Sequence, residues 1–518
     1  MRQPLDPHSV TTADYVIVGA GSAGCVLAER LSADENTEVV LLEAGGPQPE
    51  RNPEIQVPVL FPRTFGSTLD WGFTTVPQAG LNGRVIPIPR GRALGGSSAI
   101  NAQLWTRGHP ADYDGWEAAG SRGWGSADVQ PYFEKAEKRI RLAGIRCPAP
   151  CTADFLSACA QAGHAPAAEQ PEGYGLARAT HKDGLRWSSA DGYLTTARHR
   201  PNLIVLTGSL VRKVLFTGTR ACGVELETGE SVHQIRAGRE VILAAGAVGS
   251  PHLLMLSGIG PAGHLAEHGI PVLVDAREVG QNLTDHLIVP LAFAARGFES
   301  PGADAGPEEI QQYLKDRAGP LGSIISEALL FVRTRQDLDA PDVEIVHLVI
   351  PYGEHQTAAR HGLALGVIVL RPASRGAVTL ATADPHDAPL LDPRYLSDSG
   401  GADLDTAIAG VRQAQQILEK PVFARWRGES LTPGAMSGSS ADIARYIRRT
   451  GLSIHHLVST CRMGPDPQAP VDLSLRVRGT SGLRVADASA MPSLVRAHTH
   501  APVTMLAERA SALILGRG

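Results

Sequence analysis

Cysteine is scarce in this chain. Only 6 of the 518 residues are cysteines, which is too few for a fold held together by disulfides. Cys147 and Cys151 lie close together in the stretch CPAPC, but no second cysteine pair or histidine cluster accompanies them. A structural zinc site needs about four such ligands. The sequence therefore predicts free thiols at these two positions and no metal site.

The chain also lacks an excess of positive charge and a long apolar run. Lys and Arg number 48 against 53 Asp and Glu, which gives a net charge of -5, so nothing favours a nucleic-acid partner. No stretch of about 20 apolar residues is present that could span a bilayer. The residues before the first predicted strand lack the apolar core of a signal peptide. We expect a cytoplasmic location and no membrane partner.

Aromatic residues make up only 5% of the chain, whereas 56 glycines and 37 prolines are present. This composition is typical of a globular protein rich in loops and excludes a fibre or a disordered chain. Single hydrophobic cores stop growing near roughly 250–300 residues. The length therefore predicts two domains.

The most regular stretch, DYVIVGAGSAGCVLAERLSADENTEVVLLEAGG, lies near the N-terminus. Residues 14–18 are β-branched and aromatic, as a buried strand requires. The apolar spacing that follows predicts a helix over roughly residues 22–33. A second strand, EVVLLE, then ends at Glu43. Strand, turn, helix and strand in this order predict the first crossover of a doubly wound sheet.

The turn in this crossover has the spacing G-x-G-x-x-G. Gly19 allows the tight turn, Gly21 lets a pyrophosphate approach the helix N-terminus, and Gly24 lets the helix pack closely on the strand. Glu43 stands where an acid can accept hydrogen bonds from ribose hydroxyls. The stretch therefore predicts a dinucleotide site, but it does not decide between NAD and FAD.

Further segments carry more specific signals. The loop GRALGGSSAIN has bare backbone and hydroxyl donors that suit a phosphate or a flavin ring. The stretch VILAAGAVGSP reads as a strand, a glycine turn and a helix that begins at Ser250–Pro251 and ends at Gly258. Two more distinctive segments are VGQNLTDH at 279–286 and LRVADASAMPSLVRAHTHAPVTMLAERASALIL at 483–515.

Taken together, these segments resemble the glucose–methanol–choline (GMC) oxidoreductase family over nearly the whole chain. Residues 89–116 and 238–265 are similar to its two signature segments. The family consists of FAD-dependent enzymes, mostly alcohol oxidases and dehydrogenases. The resemblance disfavours a classical NAD dehydrogenase, and it implies FAD as the cofactor.

The fold that the resemblance implies is α/β plus α+β. It has a Rossmann-like FAD-binding domain and a discontinuous substrate domain built on an antiparallel sheet backed by helices. We expect residues 1–110, 201–286 and 451–518 to form the FAD-binding domain. Residues 111–200 and 287–450 are expected to form the substrate-binding domain.

Patterns in the substrate part agree with such a sheet. LALGVIVLRPASRGAVTLATADP alternates enough to predict two strands joined by a tight turn at Ser374–Gly376. DLDTAIAGVRQAQQILEK, at 403–420, has apolar residues at helical spacing.

The resemblance also implies a set of cofactor-binding residues. Asn101 is expected near the flavin, Val211 against the adenine through its backbone, and Asp487 near the ribityl chain and pyrophosphate, although Asp487 could equally cap a helix. The complete expected set is Gly19, Gly21, Ser22, Gly24, Glu43, Ala44, Trp71, Arg92, Gly95, Gly96, Ser97, Asn101, Ala102, Val211, Asp487, Ala488 and His500.

One departure from the family pattern concerns attachment of the cofactor. Some members tether FAD covalently through a histidine just before the asparagine of the glycine loop. Ile100 occupies that position here. An aliphatic side chain cannot form the bond, so we expect noncovalent FAD.

The family's catalytic histidine precedes a segment that here reads STCRMG, which identifies His456 rather than His455. The second catalytic position, a histidine or asparagine before the final helix, corresponds to His498. Alternation in an extended segment would point the neighbours His455 and His500 away from the reacting groups. We interpret both neighbours as supporting residues that can still touch the flavin or the substrate.

Alcohol oxidation explains why two imidazoles are present. The reaction removes a proton from oxygen and a hydride from carbon, and the flavin accepts the hydride. An imidazole titrates near working pH, so one ring can serve as general base. The second ring can hydrogen-bond the developing alkoxide. By resemblance, His456 is the base and His498 its partner.

The substrate and the electron acceptor are less constrained by the sequence. We expect an uncharged primary alcohol, with aromatic or furanic alcohols as the favoured class, because no acidic residue can be placed in the site to bind a cation such as choline. The acceptor is O2 or another oxidant. Ile454 is expected near the flavin edge where oxygen reacts.

Other functions stay open at this point. Some family members cleave hydroxynitriles and keep FAD without using its redox chemistry, and a nucleotide-binding regulatory protein would need no catalysis. The segments STCRMG and HTHAP resemble redox-active relatives. This favours alcohol oxidation over the lyase.

Overall fold

The computed structural model of the chain describes residues 10–46, 52–168, 172–353, 360–434, 436 and 438–517. Most of the N-terminal segment that we expected to lack a signal peptide lies outside these residues. Among the described residues, no helix combines the length and the apolar character needed to cross a membrane. All six cysteines are described, and all six are free.

The first of two large sheets has a parallel core. In spatial order its strands are Ser209–Thr217, Arg220–Thr228, Ser231–Leu243, Thr12–Val18, Val39–Leu42 and Leu203–Leu206, and Leu483–Val485 also pairs with Ser231–Leu243. Thr12–Val18 runs parallel to both of its neighbours. The carboxyl ends of parallel strands lie at the same edge of a sheet. Gly19, Glu43 and Ala244 each follow such a strand, so they come together at that edge. Ligands bind at this edge in doubly wound folds.

The second large sheet is antiparallel. Its order is Arg427–Ser430, Leu287–Ala295, Gly362–Val369, Val343–Leu348, Ser326–Val332 and Gly173–Leu176, and Leu452–Ser453 pairs with Leu287–Ala295. The helix Ala402–Leu418, predicted at 403–420, packs on one face. This architecture confirms the predicted fold class. The predicted limits of the two domains stay a prediction.

The described helices of eight residues or more are distributed along the whole chain. Ser22–Leu31 occupies the crossover predicted over residues 22–33. In chain order these helices are Ser22–Leu31, Pro110–Ala118, Ser126–Arg139, Pro150–Gln161, Gly246–Leu256, Pro307–Asp316, Ala402–Leu418, Ser440–Thr450 and His500–Ile514.

Successive side chains of the strand Val343–Leu348 alternate between the two faces of the second large sheet. Ile345 packs into the core that the helix Ala402–Leu418 covers. Val346 and Leu348 line the large cavity described below. Glu344 shares their face of the sheet, so an acid in an otherwise apolar strand points toward the cavity side.

The predicted hairpin at Ser374–Gly376 is wrong in its pairing. Both strands exist, as Gly362–Val369 and Gly376–Thr379, but the first lies in the second large sheet and the other in a separate three-stranded sheet. The carboxylate of Asp403 holds the link by accepting hydrogen bonds from the amide and hydroxyl of Ser374. Alternation in the sequence shows strand tendency, but tertiary contacts select the partner strand.

A buried ion pair holds the segment that leads into the last helix. Arg496 Nη1 donates to Asp112 Oδ1 at 2.5 Å, and the backbone N–H of Arg496 donates to the other carboxylate oxygen at 2.9 Å. Both side chains are buried. Two residues later, the N–H of His498 donates to Thr106 Oγ1 at 2.8 Å. The pair therefore fixes the chain immediately before His498.

We predict that Asp112→Ala lowers the free energy of unfolding by about 3 kcal/mol, because it leaves the Arg496 guanidinium buried without its main partner. Urea unfolding followed by tryptophan fluorescence measures the loss. Glu134→Ala is the control, since Glu134 is an exposed carboxylate on the helix Ser126–Arg139. Equal stability of the two variants would contradict the prediction.

Candidate active site

One cavity of about 390 Å³ lies between the strand ends of the first sheet and one face of the second. It brings together most of the residues that the sequence singled out. The residues from that set that line it are Gly19, Gly21, Ser22, Glu43, Ala44, Trp71, Gly96, Ser97, Asn101, Ala102, Val211, Asp487, Ala488, His456, His498 and His500. The exceptions are Gly24, Arg92 and Gly95, which do not line the cavity.

The three exceptions lie directly behind the cavity wall. A Cβ on Gly24 would fall 1.9 Å from the Gly19 carbonyl oxygen, so this glycine allows the helix to pack on the turn, as predicted. The Gly95 N–H donates to the Ala20 carbonyl at 2.8 Å. The guanidinium of Arg92 lies 4.9 Å from the Trp71 ring centre. Trp71, which is in the wall, is thus supported from behind by a cation.

Glu43 ends the second strand with its carboxylate turned toward the glycine turn. Its two oxygens accept hydrogen bonds from the backbone N–H groups of Ala20 at 3.0 Å and Gly45 at 2.8 Å. Burial raises the pKa of Glu43 to about 7, and the two N–H donors oppose that rise. The carboxylate holds the turn and retains lone pairs on the cavity side.

Asp487 ties the end of the short strand Leu483–Val485 to the second crossover. Its carboxylate accepts from the Gly246 N–H at 2.8 Å, the Ser250 hydroxyl at 2.6 Å and the Ser489 N–H at 2.8 Å. The last contact caps a single 3-10 turn, so the capping interpretation is confirmed while Asp487 also lines the cavity. The crossover helix begins at Gly246 rather than at Ser250–Pro251, because this carboxylate anchors the glycine turn itself.

Asn101 presents its amide to the cavity in a fixed orientation. Its Oδ1 accepts hydrogen bonds from the Gln103 N–H at 3.0 Å and from Arg186 Nη1 at 2.8 Å. Both lone pairs of the oxygen are occupied, so the amide NH2 is the group left for a ligand. Burial lowers the pKa of Arg186 to about 9.

The two predicted catalytic histidines lie side by side. The ring centres of His456 and His498 are 4.9 Å apart with an angle of 89° between the ring planes. Both rings line the cavity, and both are buried. Burial and then the neighbouring His498 hold the pKa of His456 well below its usual 6.5. His456 is therefore neutral at physiological pH and can accept a proton.

His456 is held by two consecutive residues, Asp285 and His286. Its backbone N–H donates to Asp285 Oδ1 at 2.6 Å. Its ring Nδ1 lies 2.9 Å from Nδ1 of His286. Hydrogen bonds from Tyr395 and Ser453 hold Asp285 in turn. The ring can therefore neither rotate nor move away without breaking these contacts.

His498 has a different kind of partner. Its Nε2 lies 2.9 Å from Oε1 of Glu344, which is buried on the cavity face of the second sheet. A carboxylate oxygen accepts hydrogen bonds, so this contact directs the Nε2–H of His498 toward Glu344. From the sequence, no acid can be placed in the site to bind a cation, and the structure brings Glu344 into contact with His498.

The prediction that alternation turns His455 and His500 away from the reacting groups is wrong. Both rings line the same cavity as His456 and His498. His455 has a left-handed backbone with φ of 65°, which breaks the extended geometry on which alternation depends. Arg90 Nη1 holds this conformation by donating to the His455 carbonyl at 2.6 Å.

Sequence reasoning missed Glu344, His286 and Arg186. His286 lies in the distinctive segment VGQNLTDH, but no role for this histidine follows from the sequence. Glu344 stands alone as an acid in the apolar run VEIVHL, and that is a signal for a buried polar contact. Arg186 lies outside any distinctive segment, so only the tertiary structure reveals it.

The cavity walls fit the FAD that the sequence predicts. A Cβ on Gly21 would meet no protein atom closer than 3.9 Å, so this glycine faces open space at the helix N-terminus. His455 and His500 each have a buried Nδ1 without a partner among the described residues. Buried polar atoms are normally hydrogen-bonded, so these nitrogens are suited to a ligand. Gly19, Gly21 and Glu43 would hold the nucleotide end, and Asn101 and the histidines the flavin end.

No alternative metal centre competes with this assignment. In the parts of the chain that the structure describes, no group of three or more His, Cys, Asp or Glu side chains could hold a metal ion.

We predict that Gly21→Ala leaves the protein folded but weakens FAD binding at least about tenfold, or about 1.4 kcal/mol. The added methyl would fill space on the cavity side and meet no protein atom closer than 3.9 Å. Flavin absorbance per purified chain and titration of the apoprotein measure the loss. Gly115→Ala is the control, because a Cβ there meets nothing within 4 Å and lies on the helix Pro110–Ala118. Full FAD content in Gly21→Ala would contradict the assignment.

Comparison with known proteins agrees with this site. Models described as GMC oxidoreductase match residues 13–288 and residues 372–507. The chain is 40% identical to an alcohol dehydrogenase [acceptor] of Pseudomonas putida, over 97% of this chain and 95% of the relative. It is 39% identical to an oxygen-dependent choline dehydrogenase of Brucella anthropi, over 98% and 96%.

A solved structure has the same fold. The crystal structure of pyridoxine 4-oxidase from Mesorbium loti is similar with a TM-score of 0.88 and 31% identity, over 98% of this chain and 100% of that chain. The signature segments, the cavity and the family models therefore agree. The chain belongs to the GMC oxidoreductase family, whose members use FAD, and it is an oxidoreductase that acts on CH–OH donors.

Proposed function

We propose that this enzyme oxidises an uncharged primary alcohol with an apolar body, aromatic or furanic alcohols included, to the aldehyde. FAD is bound noncovalently, and O2 or another acceptor reoxidises it. The observation that carries the proposal is the perpendicular pair His456 and His498, 4.9 Å apart, in the cavity that also contains the dinucleotide turn. When bound, FAD supplies the acceptor for the hydride at flavin N5.

His456 takes the proton from the alcohol oxygen. Burial keeps the ring neutral by lowering its pKa, and a neutral imidazole has one nitrogen lone pair for the proton. The contacts with Asp285 and His286 fix the ring in one orientation. A positioned base of this kind contributes roughly 10²–10⁴ to the rate.

His498 binds the oxygen as its negative charge develops. Glu344, which lies 2.9 Å from Nε2 of this ring, offsets positive charge that the ring carries during the reaction. A ring that carries hydrogens on both nitrogens donates one to Glu344 and the other to the alkoxide, and hydrogen bonds to charged oxygens are strong. The two rings thus divide the work: one receives the proton and the other stabilises the oxygen that loses it.

The walls beside the histidines favour an uncharged substrate. They are mostly aliphatic and aromatic: Phe61, Phe65, Leu104, Ile288, Ile325, Val346, Leu348, Ile350 and Ile454. The carboxylates among the described lining residues are Glu43, Asp387 and Asp487. Glu43 and Asp487 belong to the nucleotide turns. His386, the residue before Asp387, contacts Glu227, whose strand pairs with the strand that carries Val211. The apolar character of these walls is therefore what favours an uncharged substrate.

Ile454 supports no choice of acceptor by itself. It lines the cavity two residues before His456, and its position near the flavin edge stays a prediction. A branched side chain there limits the space in which O2 approaches. The rate at which reduced enzyme recolours in air decides between oxidase and dehydrogenase.

We predict that benzyl, furfuryl and medium-chain primary alcohols bleach the flavin of the anaerobic enzyme, whereas choline at the same concentration bleaches it at least about tenfold more slowly, because a cation would be desolvated against an apolar wall. Flavin absorbance in a stopped-flow instrument measures both. His456→Ala is expected to keep its yellow colour and to lose at least about 100-fold in rate.

Each alternative has its own outcome in this experiment. Faster bleaching by choline than by the uncharged alcohols would indicate that the substrate is a quaternary ammonium alcohol, as in the choline dehydrogenase relative. No bleaching by any alcohol, together with cleavage of a hydroxynitrile, would establish the lyase instead.

We also predict that Glu344→Gln lowers the limiting rate of flavin bleaching by about 10–100-fold with little change in FAD content, because the amide keeps a hydrogen bond to His498 but not the negative charge. Glu327→Gln is the matched control. Glu327 is equally buried in the neighbouring strand Ser326–Val332 but hydrogen-bonds Thr152 and Ser323 outside the cavity. Equal rates in the two variants would mean that the charge of Glu344 is unimportant.

A further inference from the structure

His286 is a fully buried histidine that contacts the proposed base and has no access to the cavity of its own. Its ring centre lies 5.1 Å from that of His456, with 79° between the planes. Its Nδ1 lies 2.9 Å from His456 Nδ1, and its Nε2 lies 3.0 Å from the Leu370 carbonyl oxygen. Both nitrogens of the buried ring are therefore occupied.

The carbonyl of Leu370 determines where the hydrogen of His286 is. A carbonyl oxygen only accepts hydrogen bonds, so Nε2 of His286 must carry the hydrogen and donate it. Burial lowers the pKa of His286 to about 3, so the ring is neutral. A neutral imidazole has one N–H, and Nδ1 of His286 is consequently left with a lone pair.

That lone pair in turn determines the tautomer of His456. Two nitrogens 2.9 Å apart form a hydrogen bond only if one of them carries the hydrogen. Because Nδ1 of His286 accepts, Nδ1 of His456 must donate. The other nitrogen of His456, Nε2, is then the one without a hydrogen, which is the state that a general base needs.

We propose that His286 is a positioning residue that holds His456 in the Nδ1–H tautomer, so that Nε2 is available to take the proton of the alcohol. The proposal rests on the proposed function, since it gives His456 the role of base. In the opposite arrangement, a His286 that donated from Nδ1 would force the hydrogen of His456 onto Nε2. The base would then be a donor, and the alcohol would keep its proton.

The same contact supports His456 after proton transfer. When Nε2 has taken the proton, His456 is an imidazolium, and its Nδ1–H donates a charge-assisted bond to the neutral His286. No heavy atom has to move for this to happen. Asp285, next to His286, holds the backbone N–H of His456, so two adjacent residues fix both the position and the tautomer of the base.

Two substitutions of His286 that are similar in size separate this role from simple packing. In His286→Asn the amide oxygen can stand near the place of Nδ1 and accept from His456, whereas His286→Leu offers no acceptor. We expect His286→Leu to lower the limiting rate of anaerobic flavin bleaching by about 100-fold or more, and His286→Asn to keep the rate within about tenfold of the wild type. FAD content is measured in both.

A purely structural role predicts the reverse order. In a buried site, leucine packs well and an asparagine leaves polar groups unpaired, so the leucine variant would then be the more active one. Equal rates for the two variants, or a higher rate for His286→Leu, would overturn the proposal. His347→Leu is the control, because His347 is equally buried but stacks on Phe155 away from the cavity; its rate per bound FAD is expected to equal that of the wild type.

A spectroscopic measurement tests the tautomer without catalysis. In ¹⁵N-histidine-labelled holoenzyme, His456, assigned by its loss in His456→Gln, is expected to show a protonated Nδ1 and a bare Nε2. A protonated Nε2 would refute the tautomer even in a fully active enzyme. If no alcohol bleaches the wild type, the proposed function falls, while the nitrogen shifts still report whether His286 sets the tautomer.

Discussion

Two buried imidazole rings 4.9 Å apart cannot both carry positive charge. The surroundings of His456 and His498 resolve this conflict by giving each ring a different partner. His456 faces a neutral, buried histidine, and His498 faces a carboxylate. In the proposed mechanism, this difference assigns proton acceptance to one ring and charge stabilisation to the other before any substrate arrives.

The fold supplies these partners from distant parts of the chain. His456 follows the edge strand Leu452–Ser453 of the second sheet, and Glu344 comes from the middle of that sheet. His498 lies just before the last helix, where the Arg496–Asp112 pair holds the backbone. The strand ends of the first sheet place the dinucleotide turn in the same cavity. Hydride acceptor and proton acceptor therefore meet only when both sheets are formed.

The parts of the site that the sequence could predict are local. Gly19, Gly21 and Gly24 follow one another in a short turn. Their spacing alone predicts the tight turn, the approach of a pyrophosphate and the close packing of helix on strand. His456 and His498 were identified because the segments around them resemble a family. The fold class followed from the same segments. The prediction failed where the answer depends on contacts between distant residues.

Glu344 and His286 show the reason for that failure. Neither has a sequence neighbour that reveals its partner, because Glu344 lies 154 residues from His498 and His286 lies 170 residues from His456. The left-handed backbone of His455 is a similar case. Arg90 stabilises it from far along the chain, so the alternation expected of an extended segment does not hold there.

The isotope effect on flavin reduction tests the central claim most directly. The anaerobic enzyme is mixed with benzyl alcohol and, separately, with the same alcohol carrying deuterium at the reacting carbon, and the rate of flavin bleaching is compared. Hydride transfer from an alcohol held by His456 and His498 predicts bleaching in both cases, several-fold slower with deuterium, and loss of both reactions in His456→Ala. Bleaching that is equally fast with both alcohols, or that persists in His456→Ala, would contradict the account.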